Sequence, residues 1–184
     1  MFYNKYIHWY LICGLLLLAL LLAGEDYIAL LIAYMLFTPL IDGSWNQLKA
    51  REPYRVYSVY VWLSCVFVIA VLVALNPQLL MFTLTTLAVA ALPEEWFFRA
   101  YLQNKLGNTY RAIIISSVVF SCAHMITVSW LAGLLVFIPS LIYGYIYKRT
   151  GDLVLLVLLH VLSNVLYNIY LHELVGKILR FMNI

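Results

Sequence analysis

The chain has 184 residues, 66% of them hydrophobic and 10% charged, with a formal net charge of +3. A soluble domain of this length is about half apolar and about a quarter charged. A solvated globular core is therefore excluded, and the apolar runs must face lipid as helices. The small positive charge is spread over short connections with no basic stripe, which excludes a nucleic-acid partner.

Hydropathy, broken at polar clusters, predicts spans at Tyr6–Ala23, Tyr27–Ile41, Val56–Leu75, Leu79–Tyr101, Ala112–Val128, Trp130–Tyr147 and Leu153–Tyr170. The first is expected to be a retained helix and not a signal peptide, because its flank carries one lysine and another apolar run follows almost at once. The remainder, Leu171–Ile184, is a short apolar helix interrupted by Gly176, Lys177 and Arg180, either a partial span or an interfacial segment. The expected fold class is thus all-α, a polytopic membrane helical bundle of about seven spans plus a short C-terminal apolar helix. It forms one integral membrane domain over 1–184.

Basic residues fall on alternate connections. Lys5 precedes the first span, Lys49, Arg51 and Arg55 follow the second, Lys105 and Arg111 the fourth, and Lys148 and Arg149 the sixth. The intervening connections, Gly24–Asp26, Asn76–Gln78 and Thr127–Ser129, have none. The positive-inside rule then places the N-terminus in the cytoplasm of a multi-pass protein, with the bacterial inner membrane as the expected location. Tyr and Trp at the span ends suit the headgroup level and need no cofactor to explain them. Cys13, Cys65 and Cys122 lie apart in apolar runs and lack the spacing of a disulfide framework or a zinc knuckle.

Ionisable groups inside a span are costly and are functional candidates by default. The fourth span carries Pro93-Glu94-Glu95-Trp96-Phe97-Phe98-Arg99, the fifth Phe120-Ser121-Cys122-Ala123-His124, and the seventh His160-Val161-Leu162-Ser163-Asn164. At a rise of about 1.5 Å per residue, Glu94 lies about 16 Å in from Lys105 and His124 about 20 Å in from Arg111. His160 and Asn164 lie about 12 and 18 Å in from Asp152. Three helices thus bring polar groups toward one depth. Glu95 and Arg99 are i, i+4 neighbours able to pair, and Glu94, turned by about 100°, can point into a cavity. Pro93 removes a backbone hydrogen bond just before the glutamates. Singly, each residue has a bland role: a structural Glu95–Arg99 pair, a satisfied interhelical His124, an Asn164 that glues helices. Together they describe a site. Cys122, at i, i+2 from His124, faces away from it.

A carboxylate in such a cavity is a candidate general base for water, with His124 holding the water. His160 and Asn164 would donate to the oxyanion formed on a peptide carbonyl. Zinc held by Glu94, His124 and His160 is the runner-up. Other protease types lack their parts. His172-Glu173-Leu174-Val175-Gly176 has no second histidine for HExxH, Asp26, Asp42 and Asp152 all lie at span edges, and no GxS nucleophile motif occurs. Two further classes compete: a non-catalytic membrane immunity or scaffold protein, and a small transporter, which would need inverted repeats that the chain lacks.

The three polar motifs, in this order, resemble those of the CPBP family, the CAAX-protease and bacteriocin-processing group also called Abi. That family carries EExxxR, FxxxH and HxxxN or HxxxD on three helices, and the likeness spans roughly Thr83–Tyr170. It implies a glutamic-type intramembrane protease without a cofactor. Glu94 and His124 would activate water, His160 and Asn164 would form the oxyanion site, and Glu95 and Arg99 would support them. Ala100 departs from the glycine that many members carry after the arginine. The compact chain also looks like the small bacterial members paired with C-terminal sorting signals, the JDVT-CTERM type. The implied partner is a protein substrate with a hydrophobic C-terminal segment, reached from the lipid bilayer.

Overall fold

The structure is a computed structural model that describes residues 28–41 and 54–171. All six elements among these residues are helices: α1 (Ile28–Ile41), α2 (Arg55–Leu75), α3 (Leu79–Gln103), α4 (Tyr110–Thr127), α5 (Trp130–Thr150) and α6 (Leu153–Leu171). No strand occurs among the described residues. Five helices, α2 to α6, are long and apolar enough to cross a membrane, and they match five of the expected spans to within a few residues. At 14 residues, α1 is about 21 Å long, short of the ~30 Å hydrocarbon core. The expected first span, Tyr6–Ala23, the connection holding Lys49 and Arg51, and the tail beyond Leu171 lie outside the described residues.

Local chemistry sets the helix ends. Thr109 Oγ1 accepts from Ala112 N at 3.2 Å, Ser129 Oγ from Ala132 N at 3.1 Å, and Asp152 Oδ1 from Leu155 N at 3.0 Å. Each is an N-cap that satisfies an otherwise orphaned amide. α5 stops at Gly151, which takes a left-handed φ of 65°, the conformation for which glycine carries no steric cost.

α3 is the irregular helix and the central one. It widens to π geometry over Thr86–Ala91, returns to α over Leu92–Glu95, and widens again over Trp96–Gln103. The first widening answers Pro93, whose ring crowds the carbonyl one turn earlier and whose nitrogen has no proton to donate. Trp96 through Gln103 are buried without exception. α3 feeds two apolar clusters. Ala91, Trp96 and Ala100 meet Leu156, Val157 and Val161 of α6 in one; Phe97, Phe98 and Tyr101 meet Met35 of α1 and Phe120 of α4 in the other. Trp96 Nε1 donates to Leu36 O at 3.2 Å, tying α1 to α3. α2 turns Leu63 and Phe67 outward at 63% and 68% exposure, as expected of a lipid-facing helix.

α4 and α5 pack closely against each other. Without a hydrophobic drive between helices in lipid, close approach depends on small residues. Ser121 Oγ donates to Gly133 O at 2.5 Å, and a Cβ on Gly133 would stand 2.6 Å from Ser121 O and 2.9 Å from Met125 N. Both are backbone atoms that cannot swing aside. Gly133→Ala is therefore expected to destabilise the protein by about 1–3 kcal/mol, measured as an earlier thermal unfolding in detergent. Leu134→Ala, at a position 52% exposed, is expected to stay within about 0.5 kcal/mol of the parent.

Candidate active site

Pro93 and its π segment deliver two adjacent carboxylates, and both address one imidazole. Glu95 is fully buried, and its Oε1 accepts from His160 Nδ1 at 2.9 Å. Glu94 Oε2 lies 3.8 Å from the other ring nitrogen of His160, Nε2. Glu94 Oε1 lies 4.0 Å from His124 Nε2. Glu94 thus stands between two imidazoles from two different helices. Its Oε2 is buried and accepts no hydrogen bond from any described residue.

The protonation of His124 follows from its neighbour. His124 Nδ1 lies 3.1 Å from Phe120 O, one turn back on α4. A carbonyl only accepts, so Nδ1 carries the proton, and in the neutral ring Nε2 presents a lone pair toward Glu94. The same bond holds the ring against Phe120, with centroids 4.3 Å apart.

Behind the carboxylates lies Arg99, also fully buried. Its Nε pairs with Glu95 Oε2 at 3.3 Å. Its Nη1 donates to Ser116 Oγ of α4 at 3.0 Å and its Nη2 to Ser140 Oγ of α5 at 2.9 Å. The guanidinium also lies over the Phe120 ring, 5.3 Å from its centre. The i, i+4 spacing foretold the Glu95–Arg99 pair. It did not foretell that Glu95 also orients His160, nor that two serines clasp Arg99. Hydroxyls inside apolar spans were the available signal, since such groups seek interhelical partners.

Asn164 sits one turn beyond His160, half-buried, and no side-chain hydrogen bond joins it to the cluster among the described residues. The expected end of the fifth span, Val128, is met to within one residue. α4 ends at Thr127, so His124 lies in the last turn, and the α4–α5 connection reaches the level of the site. Val128 of that connection lines a cavity of about 110 Å³ together with Leu31 and Met35 of α1, Glu94 and Phe98 of α3, and Ala123, His124 and Thr127 of α4. Irregular backbone at depth is tolerated where it lines such a cavity. His160 is not among the lining residues; Glu94, which is, lies 3.8 Å from its Nε2.

Among the described residues, no group of three or more His, Cys, Asp and Glu side chains is arranged to hold a metal ion. His160 directs Nδ1 to Glu95, which leaves Nε2 as its free nitrogen. Chemically, the arrangement offers a poorly solvated carboxylate, one imidazole with a lone pair facing it, and a second imidazole held from behind.

A family model described as type II CAAX prenyl endopeptidase Rce1-like matches residues 75–166, half of the 184-residue chain. All three polar motifs lie within that stretch. No curated protein and no solved structure matches the chain.

Removing Arg99 would strand a buried carboxylate. Arg99→Met is expected to cost about 3–5 kcal/mol, with Glu95→Gln in the same chain restoring part of the loss. Thermal unfolding of the single and double variants in detergent measures both.

Proposed function

The chain belongs to the type II CAAX prenyl endopeptidase Rce1-like family, and from that premise we propose that it is a glutamic-type intramembrane endopeptidase. Its substrate would be a protein whose hydrophobic C-terminal segment lies in the bilayer. The observation that carries the proposal is the placement of Glu94 between His124 Nε2 and His160 Nε2, at 4.0 and 3.8 Å.

Glu94 Oε1 and His124 Nε2 are both acceptors, and they are too far apart to bond directly. A single water about 2.8 Å from each would direct one proton to the carboxylate and the other to the imidazole. Its lone pair would then face away from both, toward a peptide carbonyl. Glu94 takes the proton as the oxygen–carbon bond forms, and returns it to the departing amide nitrogen as the carbon–nitrogen bond breaks. No covalent enzyme intermediate is required. The oxyanion would be met on the other side of Glu94. Glu95 holds His160 Nδ1, leaving Nε2–H of the imidazolium to donate, and Asn164 offers an amide one turn further on. Arg99 offsets one of the two buried carboxylates, and a proton on His160 offsets the other, so the cluster can be neutral with His160 charged. The reaction needs no resident metal or cofactor.

The cavity walled by α1 and the α4–α5 connection suits a substrate arriving sideways from lipid. The alternation of basic connections supports an N-terminus in the cytoplasm, and the proposed location is a bacterial inner membrane.

The test uses purified protein in phospholipid nanodiscs and two quenched fluorogenic peptides. One is farnesylated with a CAAX end; the other is unprenylated, with a hydrophobic helix and a basic end. Cleavage of either is expected to fall by about 100-fold or more in Glu94→Gln and His124→Ala, with protein yield unchanged, and to survive a chelator. Cleavage by Glu94→Gln at the parental rate would remove the general base, and chelator inhibition reversed by zinc would replace the mechanism with a metal-dependent one.

A further inference from the structure

α6 carries both His160 and Asn164, and its rotation about its own axis decides where they point. The Glu95 bond restrains His160 from one side. A second restraint comes from α5. The Tyr143 hydroxyl lies 2.6 Å from Ser163 Oγ and 3.3 Å from Leu159 O. Both contacts are hydrogen bonds under one assignment: Tyr143 donates to the carbonyl, and Ser163 donates to Tyr143. Leu159 immediately precedes His160 and Ser163 immediately precedes Asn164. The phenol therefore spans the one turn of α6 that bears both side chains. Its ring lies 6.0 Å from the His160 ring, centre to centre, tilted by 38°.

Tyr143 is itself mounted on a stretch of α5 anchored to α3 at both ends. Ser140, three residues before it, accepts from Arg99. The carbonyl of Gly144, the next residue, accepts from the buried Gln103 Nε2 at 2.9 Å. A Cβ at Gly144 would stand 3.0 Å from Gln103 Oε1 and 2.7 Å from Ile113 Cγ2, which shows how closely the helices meet there. The contacts close a ring. Arg99 of α3, paired with Glu95, holds Ser140 of α5, Tyr143 of α5 holds the Leu159–Ser163 turn of α6, and His160 of α6 returns to Glu95.

We infer that Tyr143, acting with Ser163, is a positioning residue that sets the orientation of His160 and Asn164. The kinetic consequence rests on the hydrolytic role proposed above, whereas the spectroscopic consequence rests on the geometry alone. A tyrosine hydroxyl that merely satisfies itself against a helix would leave the His160 ring undisturbed when removed.

The experiment records the ring signals of protein labelled with 15N-histidine in nanodiscs, assigned with His124→Ala and His160→Ala. In Tyr143→Phe, the His160 Nδ1–H signal is expected to shift and to exchange with water about tenfold faster, the scale of one neutral hydrogen bond. Ser163→Ala should do the same, the double variant should add little to either, and His124 should not move. Tyr145→Phe, which removes an exposed hydroxyl bonded to Arg149, should leave both rings unchanged. On a cleaved peptide, Tyr143→Phe should lower kcat about tenfold with KM within about twofold. Unaltered His160 signals in Tyr143→Phe would overturn the inference, as would equal movement of His124, which reports general loosening. Should Tyr143→Phe fail to fold, Ser163→Ala decides on the same criteria. A shifted His160 in a protein that cuts neither peptide would uphold the positioning and remove the hydrolysis.

Discussion

A guanidinium and a carboxylate with no solvent exposure lie side by side in a helix that crosses the bilayer. Taking the two charges out of water costs several kcal/mol each, and their mutual attraction offsets this only if the remaining hydrogen-bonding capacity is also met. Arg99 and Glu95 cannot both be met from α3. The molecule supplies Ser116 from α4, Ser140 from α5 and His160 from α6. Four helices are thereby held in one register by a demand that hydrocarbon makes absolute. The pair is better understood as a device of specificity than of net stability, since apolar replacements at such sites are often neutral.

The same demand explains the division of labour between adjacent glutamates. Glu95 is consumed by Arg99 and His160 and is fully buried. Glu94, one residue away, keeps a carboxylate oxygen that accepts no hydrogen bond among the described residues and borders the cavity. A regular helix would turn the two about 100° apart. The π segments on either side of Leu92–Glu95 fall where such widenings often fall, at sites of function. Here they leave both carboxylates facing the two nitrogens of His160.

Much of this could be read from the residues. Five spans follow from apolar runs broken at polar clusters, and their ends fall within a few residues of the helix ends. The Glu95–Arg99 pair follows from spacing on one helix, which needs no knowledge of neighbours. What spacing cannot convey is which helices touch. The bond from Glu95 to His160 crosses 65 positions, and the Ser116–Arg99–Ser140 clasp joins three helices through two serines, a residue type common in any span. Depth reckoned from the cytoplasmic ends was also incomplete. It brought Glu94, His124 and His160 toward one level, and hydropathy ended α4 within one residue of Thr127, but neither could show that the connection beyond it packs beside Glu94. The backbone of the α4–α5 connection consequently forms part of the cavity wall.

The central claim is that the side chain at position 94 points between two imidazoles within the bundle. It can be measured without a substrate by turning that position into a soft metal ligand. In a chain carrying Cys13→Ser, Cys65→Ser and Cys122→Ser, the further change Glu94→Cys is expected to create a thiolate site completed by His124 and His160. Titration with cadmium, followed by 113Cd resonance, should reveal one bound ion per chain with sulfur and nitrogen ligands. That signal should be lost on His124→Ala and on His160→Ala. Absence of the site, or cadmium binding indifferent to both histidines, would contradict the account.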